Sequence, residues 1–504
     1  MSVPMGENSA SLLPLAPIGS EGFSRPSGDI VTLLDLAPRD YQDNIFYPLS
    51  ADKTWWIPLQ DRRINPFSIC IQQFPFRGPT AFGQRFTFDL KSVSCGDLLF
   101  NTILQIDLGH WFNDTDIMRL ESGRYTTTDP NQWYYANSLG TVILEKAELE
   151  VNDQTIETVD GDFLNVCSLL FQDLNSQYGL ATDGIGRQPL STLLHSSAAK
   201  PFPTQGKSLF IPLPFFFSRI KLKEAFPLLA CKEGSVRIHI TLRPFHECVR
   251  ILSGRRATCD DTPLMKSISV KIREQGIYTD TTITADSVIP QFKGIQLITH
   301  AAHTDGEIRQ KILRKPFENL IRNVNIFHFA EPLKYVINKT SSDTINVQLP
   351  LEVNNPIEEI IWFVRRKATA NNNEWTNYSA VTSPELDQIY NPLRPLLHTA
   401  SIQFNGLDII KSDEQWFRRH ISMKHPGGAS AYDNYIYGYS FSKHPGTFQP
   451  SGTANASRLQ SVRLTLGITP PSGIYELEWE VKVFVISLQW LRFQDGLTNK
   501  MYMD

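Results

Sequence analysis

Apolar and polar positions alternate most regularly near the C-terminus. From Ser461 to Ile468, Val462, Leu464, Leu466 and Ile468 share one side while Arg463 and Thr465 take the other, a period of two that predicts a strand. Pro470, Pro471, Ser472 and Gly473 predict a turn. After it, Leu477, Trp479, Val481, Val483 and Val485 alternate with Glu476, Glu478, Glu480 and Lys482. The two runs together predict a long antiparallel hairpin buried on one side only, with Glu478 and Glu480 on a solvated or interface face. The segment ahead of them, Phe448 to Arg458, reads as a turn. There Pro450 fixes φ, Gly452 suits a positive φ, and Ser451, Thr453, Asn455 and Ser457 can bond to their own backbone.

The same grammar runs through the rest of the chain. Phe86, Phe88 and Leu90 alternate with Thr87 and Asp89, Leu99 to Leu108 is a mostly apolar strand, and Val142 to Val151 is turned back by Asn152 and Asp153 into Thr155 to Thr158. Phe163, Val166, Cys167, Leu170 and Phe171 recur at helical spacing after Asp160 and Gly161, predicting one short amphipathic helix. Ser235 to Arg243 closes this half, and the polar stretch Phe245 to Pro263 breaks the pattern. Further strands are predicted at Ser267–Arg273, Ile308–Leu313, Leu320–Phe329, Thr344–Leu351 and Ile357–Arg366. Ser412 with Gln415 predicts a capping box ahead of Trp416 and Phe417, hence a second short helix. Residues 1–75, rich in Pro and Gly with short apolar runs, read as an N-terminal arm. The expected division is therefore 1–75 arm, 76–247 first domain, 248–264 linker and 265–504 second domain.

Composition supports this division. A chain of 504 residues exceeds the roughly 250–300 residues at which a single core stops growing. The 32 Pro, 29 Gly and 30 Phe tilt it toward sheets and turns, so the expected class is all-β. A net charge of −4 without a long block of one sign predicts no affinity for nucleic acid. Arg25 is the sole cation of the first thirty residues and faces Glu7, Glu21 and Asp29, which argues against a genome-binding arm. With no long apolar run and no basic, apolar leader, the expectation is a soluble chain made in the cytosol. Cys70, Cys95, Cys167, Cys231, Cys248 and Cys259 form no CxxC pair and read as free thiols, with a Cys248–Cys259 disulfide as the minority alternative.

Candidate chemistry is sparse. His300 and His303 would need helical geometry and further ligands to hold a metal. Glu358 and Glu359 are adjacent, so on a strand they point to opposite faces and cannot act as a carboxylate pair. The run Phe215, Phe216, Phe217 reads as core or subunit contact before it reads as a ligand platform. Sequons occur at Asn113, Asn338, Asn377 and Asn455, with Asn377 in a polar loop, Ala368 to Ser379, expected to be exposed. No nucleophile elbow, phosphate loop or zinc-protease motif appears. The expectation is no catalytic, cofactor-binding or metal residue, no cofactor, and no enzyme.

Several segments in one order carry a resemblance. They are Gly96–Leu108, Leu139–Leu164, Leu209–Phe217 with Val236–Arg243, Asn355–Arg365 with Trp362, Ala400–Ile409 with its Phe-Asn-Gly turn, Asp413–Arg419, and Gln449–Arg458 (QPSGTANASR) after Tyr435, Tyr437, Tyr439 and Phe441. Over roughly residues 80–500 the chain resembles the major capsid protein of nucleocytoplasmic large DNA viruses, the double jelly-roll lineage. The resemblance implies two tandem eight-stranded jelly rolls with short helices in connecting loops. It also implies a homotrimer forming a pseudo-hexagonal capsomer that tiles an icosahedral shell, in a virion assembled in the host cytoplasm. The implied partners are further copies of itself, neighbouring capsomers and minor capsid proteins, with internal membrane proteins left open and no direct nucleic acid binding. The alternatives are a minor capsid protein of the same lineage, or a carbohydrate-binding or carbohydrate-cleaving β-sandwich protein.

Overall fold

The computed structural model describes residues 66–108, 125–127, 133–173, 175–176, 208–219, 225–251, 267–274, 277–284, 292–330, 335–336, 344–381, 394–428, 434–447, 449–469 and 476–501. In its first half run β1 (Phe67–Pro75), β2 (Arg85–Leu90), β3 (Leu98–Leu108), β4 (Leu144–Val151), β5 (Gln154–Asp160), β6 (Ser208–Pro212), β7 (Val236–Leu242) and β8 (Phe292–Thr304). They pair as two four-stranded sheets, β1-β8-β3-β6 and β2-β7-β4-β5. The second half holds β9 (Phe317–Ala330), β10 (Ile345–Leu351), β11 (Pro356–Arg366), β12 (Leu397–Phe404), β13 (Leu407–Asp413), β14 (Tyr437–Ser440), β15 (Val462–Ile468) and β16 (Trp479–Gln494). Its sheets run β9-β16-β11-β14 and β10-β15-β12-β13. Adding eight to each label of the first sandwich yields the second: one jelly-roll topology, used twice.

Local chemistry explains the recurring corners. Asn152 and Asp153 both take positive φ while Val151 pairs with Gln154, and Asn405 and Gly406 do the same between Phe404 and Leu407. Both are two-residue turns whose twist matches the flanking strands. A helix follows each: α1 (Gly161–Leu170) after β5, and α3 (Glu414–Lys424) after β13. Asp160 accepts a hydrogen bond from the Phe163 amide and Asp413 one from the Trp416 amide, so both helices start on an aspartate cap. The cap of α3 is thus Asp413 and not the expected Ser412, which lies within the strand and donates its hydroxyl to Asp413.

Strand pairing moves the expected boundaries. Phe292–Thr304 was expected in the second domain, yet it lies between β1 and β3 in the first sandwich. The polar stretch at 248–264 is accordingly not the link. Val249–Ile251 pairs back onto Trp133–Tyr135, and Ser267–Glu274 pairs with Ile277–Thr284 and Tyr125–Thr127. A polar, Gly-containing stretch marks a surface excursion, which interrupts a domain as readily as it separates two. The passage between sandwiches is α2 (Gly306–Arg314), where a strand was expected at Ile308–Leu313. Glu307 at its start and Lys311 and Arg314 at its end suit a helix dipole. The last nine residues of the expected arm, Phe67–Pro75, form edge strand β1; residues 1–65 of the arm lie outside the described residues.

The expected hairpin of β15 and β16 is also corrected. β15 pairs with β10 and β12, β16 with β9 and β11, so the two strands face one another across the second core. Alternation determines which face of a strand is buried but not which strand lies beside it. The buried face is as expected at Trp479, Val481, Val483 and Val485, which are 0–3% exposed. Phe215, Phe216 and Phe217 are core residues, and the Phe216 amide donates to buried Glu157.

Candidate assembly surface

On β16 part of the opposite face, around Glu480, Lys482 and Phe484, is covered by the first sandwich. Helix α1 lies there: Phe163 packs 5.2 Å from Phe484, and the Asn165 amide donates to the Tyr378 hydroxyl at 2.9 Å. Beside this apolar contact lies a chain of charges. Arg365 donates to Asp162 at 2.9 Å, to the Trp375 carbonyl at 2.8 Å and to Glu480, while Lys482 donates to Asp160 at 2.6 Å and to Asp162. Burial alone would raise the Asp162 carboxyl, but Arg365 and Lys482 outweigh it and hold it well below the usual carboxylate range. Burial likewise opposes ionisation of Glu480, and the hydrogen bond from His328 together with Arg365 lowers it to about 2. Glu480, expected on a solvated or interface face, is therefore a member of a largely buried network, its own side chain 16% exposed. The period-two pattern placed it opposite the second core, and only the neighbouring sandwich makes that face an inside.

Elsewhere the residues singled out in the sequence are structural. Glu358 bonds Arg322 at 2.6 Å and Glu359 shares a hydrogen bond with His425 at 3.0 Å, so the adjacent carboxylates part ways. His300 and His303 sit opposite Ile71 and Ser68 on a strand, three positions apart, a spacing that sends side chains to opposite faces. Among the described residues no group of His, Cys, Asp and Glu is arranged to hold a metal. Asn377, expected on an exposed loop, is buried, its amide donating to Glu374 and to the Val381 carbonyl. Asn455 is exposed and accepts from the Ser457 amide, while Asn113 and Asn338 lie outside the described residues. Cys70, Cys95, Cys167, Cys231 and Cys248 are free thiols; Cys259 lies outside the described residues.

The two outer faces of the first sandwich differ sharply. Across β2-β7-β4 the outward side chains pair their charges: Arg85 with Glu148, Lys146 with Glu148, and Arg237 with Asp89, Glu150 and Asp153. Such a face is content in water. Across β1-β8-β3-β6 the outward face is mixed: Gln296, Gln105, Asp107 and Ser208 form a hydrogen-bonded polar row across its middle, and the exposed apolar side chains stand on its edge strands. Cys70 and Phe74 turn inward, leaving Phe67, Ile69 and Ile71 50–58% exposed on the edge strand, and Phe210 stands 40% exposed on the far edge. Between them the register aligns Ile69 with Ala302 and Leu98, and Gln73 with Ile298 and Ile103. The exposed apolar side chains of this face thus lie on its two edge strands.

A second exposed apolar stripe lies on α3. Phe417 and Ile421 turn inward, with Phe417 packed 5.2 Å from Trp362. Trp416 and Met423 face outward, 37% and 80% exposed.

With this geometry in view, comparison with known proteins is decisive. A model of the large eukaryotic DNA virus major capsid protein matches residues 309–498, and a model of the major capsid protein N-terminus matches residues 58–281. The chain belongs to this capsid protein family. Similar relatives include the major capsid protein of Pyramimonas orientalis virus, 22% identical over 88% of this chain and 92% of that one. The major capsid protein of Paramecium bursaria Chlorella virus 1 is 23% identical over 80% of each chain. Among solved structures, PBCV-1 VP54 fitted into the virophage Sputnik reconstruction matches 90% of this chain and 100% of its own at a TM-score of 0.62 and 17% identity. The Faustovirus major capsid protein matches 92% and 96% at 0.61 and 12%. This is the double jelly-roll fold, and the protein is a major capsid protein. The sequence carried the family segments, but the exposed apolar stripe at Phe67, Ile69 and Ile71 fell inside the expected arm. Its own alternation, Phe-Ser-Ile-Cys-Ile, was the signal that could have found it.

Proposed function

We propose that this major capsid protein builds its shell as a homotrimer, six sandwiches forming a pseudo-hexagonal capsomer that tiles an icosahedral capsid assembled in the host cytoplasm. Neighbouring capsomers and minor capsid proteins are its further partners, and its role is structural rather than enzymatic. The observation that supports this is the exposed apolar stripe Phe67, Ile69 and Ile71 on edge strand β1, with Phe210 on the far edge, set against the ion-paired face on the other side of the same sandwich. Obligate contacts bury roughly 2,000 Å² or more with an apolar centre, and the Phe67, Ile69 and Ile71 stripe offers apolar side chains to such a contact. The sheet face, rather than the link or the loop ends, is the larger contributor. The carbohydrate-cleaving alternative needs two carboxylates flanking a cleft. The cleft of about 660 Å³ beside Trp490 and Leu320 has Glu318 as its one acid among the described residues. Light scattering on the purified chain is the test: three times the chain mass is expected, and Ile69→Asp should yield a folded species of one chain mass. A monomeric wild-type chain that binds glycans would overturn the reading.

A further inference from the structure

We infer that helix α3 of one copy docks on the outer face of the β1-β8-β3-β6 sheet of the next copy, with Trp416 taking the place that Phe163 takes inside the chain. This rests on the trimer reading above and names the two surfaces that meet. The template is the contact already present between the two sandwiches of one chain. There α1, the helix after the fifth strand of the first sandwich, lies on the outer face of β9-β16-β11-β14 through Phe163 on Phe484. The second sandwich has the same topology, so α3 is the counterpart of α1 and β1-β8-β3-β6 is the counterpart of β9-β16-β11-β14. The caps set the register of the two helices: the Phe163 amide bonds Asp160, and the Trp416 amide bonds Asp413. Trp416 therefore stands at the helix position of Phe163.

The burial of the four surfaces agrees. Every residue of α1 is buried, since one side covers its own core and the other is covered by the second sandwich. In α3 only Phe417 and Ile421 are buried. On the outer side Trp416 stacks on His420 and Tyr439 of its own sandwich and stays 37% exposed, and Met423 is 80% exposed. Likewise Phe484 on β16 is buried against Phe163 of the first sandwich, whereas Phe67, Ile69, Ile71 and Phe210 on the edge strands of the equivalent sheet stand exposed. One helix and one sheet face are left over, and they are the pair that meets elsewhere in the same molecule.

Symmetry explains why the partner is a second copy. The two leftover surfaces differ, so joining them is a head-to-tail contact, which closes into a ring when the rotation permits. Three chains joined this way alternate first and second sandwiches around the ring, each sandwich offering its helix to the next sheet. The intrachain contact and the interchain contact then become variations of one geometry.

The test uses the full chain. Trp416→Ala should weaken trimer association about tenfold or more, as loss of a central aromatic anchor does. Met423→Glu, at a position 80% exposed, should do so with the thermal unfolding of the single chain unchanged. In a Met423→Cys, Ile69→Cys double variant, a short bismaleimide should link chains to one another, while each single variant and the wild type should not. A wild-type trimer that keeps its mass in Met423→Glu and gives no such link would overturn this contact and leave the capsomer standing. A wild-type chain of monomer mass would overturn both.

Discussion

At the scale of single residues, the second core hangs on Trp479, 3% exposed on β16, where it pairs with Arg366 of β11 and shares its inward face with Val481. Trp479→Ala should cost about 3–5 kcal/mol in urea unfolding, the range for removing a buried aromatic. Glu478→Ala, whose partner Lys367 is half exposed, should change stability by under about 0.5 kcal/mol. The equality once expected for Glu478 and Glu480 fails because one pairs at the surface and the other within the ionic network. Gly452 has φ +147°, and a Cβ there would stand 2.7 Å from the Phe441 carbonyl oxygen. Gly452→Val should therefore lose about 1–3 kcal/mol, and a thermal midpoint equal to wild type would show that the turn yields without strain. That demand for glycine was legible in the sequence, since Pro450 and the flanking hydroxyl residues already mark a turn.

At the scale of elements, alternation located most strands and both capped helices, and erred where two causes share one pattern. The cap of α3 is a case. Ser412 and Asp413 both precede the helix and both are good caps, and only the observed bond from the Trp416 amide chooses between them. Asp413→Ala should destabilise by about 0.5–2 kcal/mol, and Ser412→Ala by less than about 0.5 kcal/mol, by thermal unfolding of the two variants side by side. The run Ile308–Leu313 is too short to separate a period of two from one of 3.6, and it became α2. β1 was hidden by its neighbours: Pro and Gly upstream made residues 1–75 look uniform, although Phe67, Ile69 and Ile71 alternate with Ser68 and Cys70.

At the scale of the whole molecule, the two sandwiches are joined by a helix-on-sheet contact with buried charges at its side. Because Glu480 is lowered to about 2 in the folded chain, against roughly 4.3 when unfolded, its pairing adds stability above the unfolded value. That contribution is lost as pH falls from about 4.5 toward about 2, and Asp162, lowered for the same reason, acts in the same direction. The urea midpoint should drop through this window, and in Glu480→Gln the drop should be shallower. Arg365→Met should cost about 3–5 kcal/mol near neutral pH, because it strands Asp162 in a buried site. A variant of wild-type stability would show that Lys482 alone suffices to hold Asp162.

The sequence by itself determined the class, the buried face of nearly every strand, the helices at Phe163 and Trp416, and the family, because these follow from local periodicity, turn chemistry and the order of short segments. It determined the absence of familiar catalytic motifs for the same reason. Only the tertiary structure decided which strand lies beside which, so that β8 returned to the first sandwich and β15 and β16 took opposite sheets. It alone decided that Glu480 and Asp162 are inside while Ile69 and Ile71 are outside. Pairing and burial depend on residues far apart in the chain, and a local pattern of side chains holds no record of what a distant surface covers.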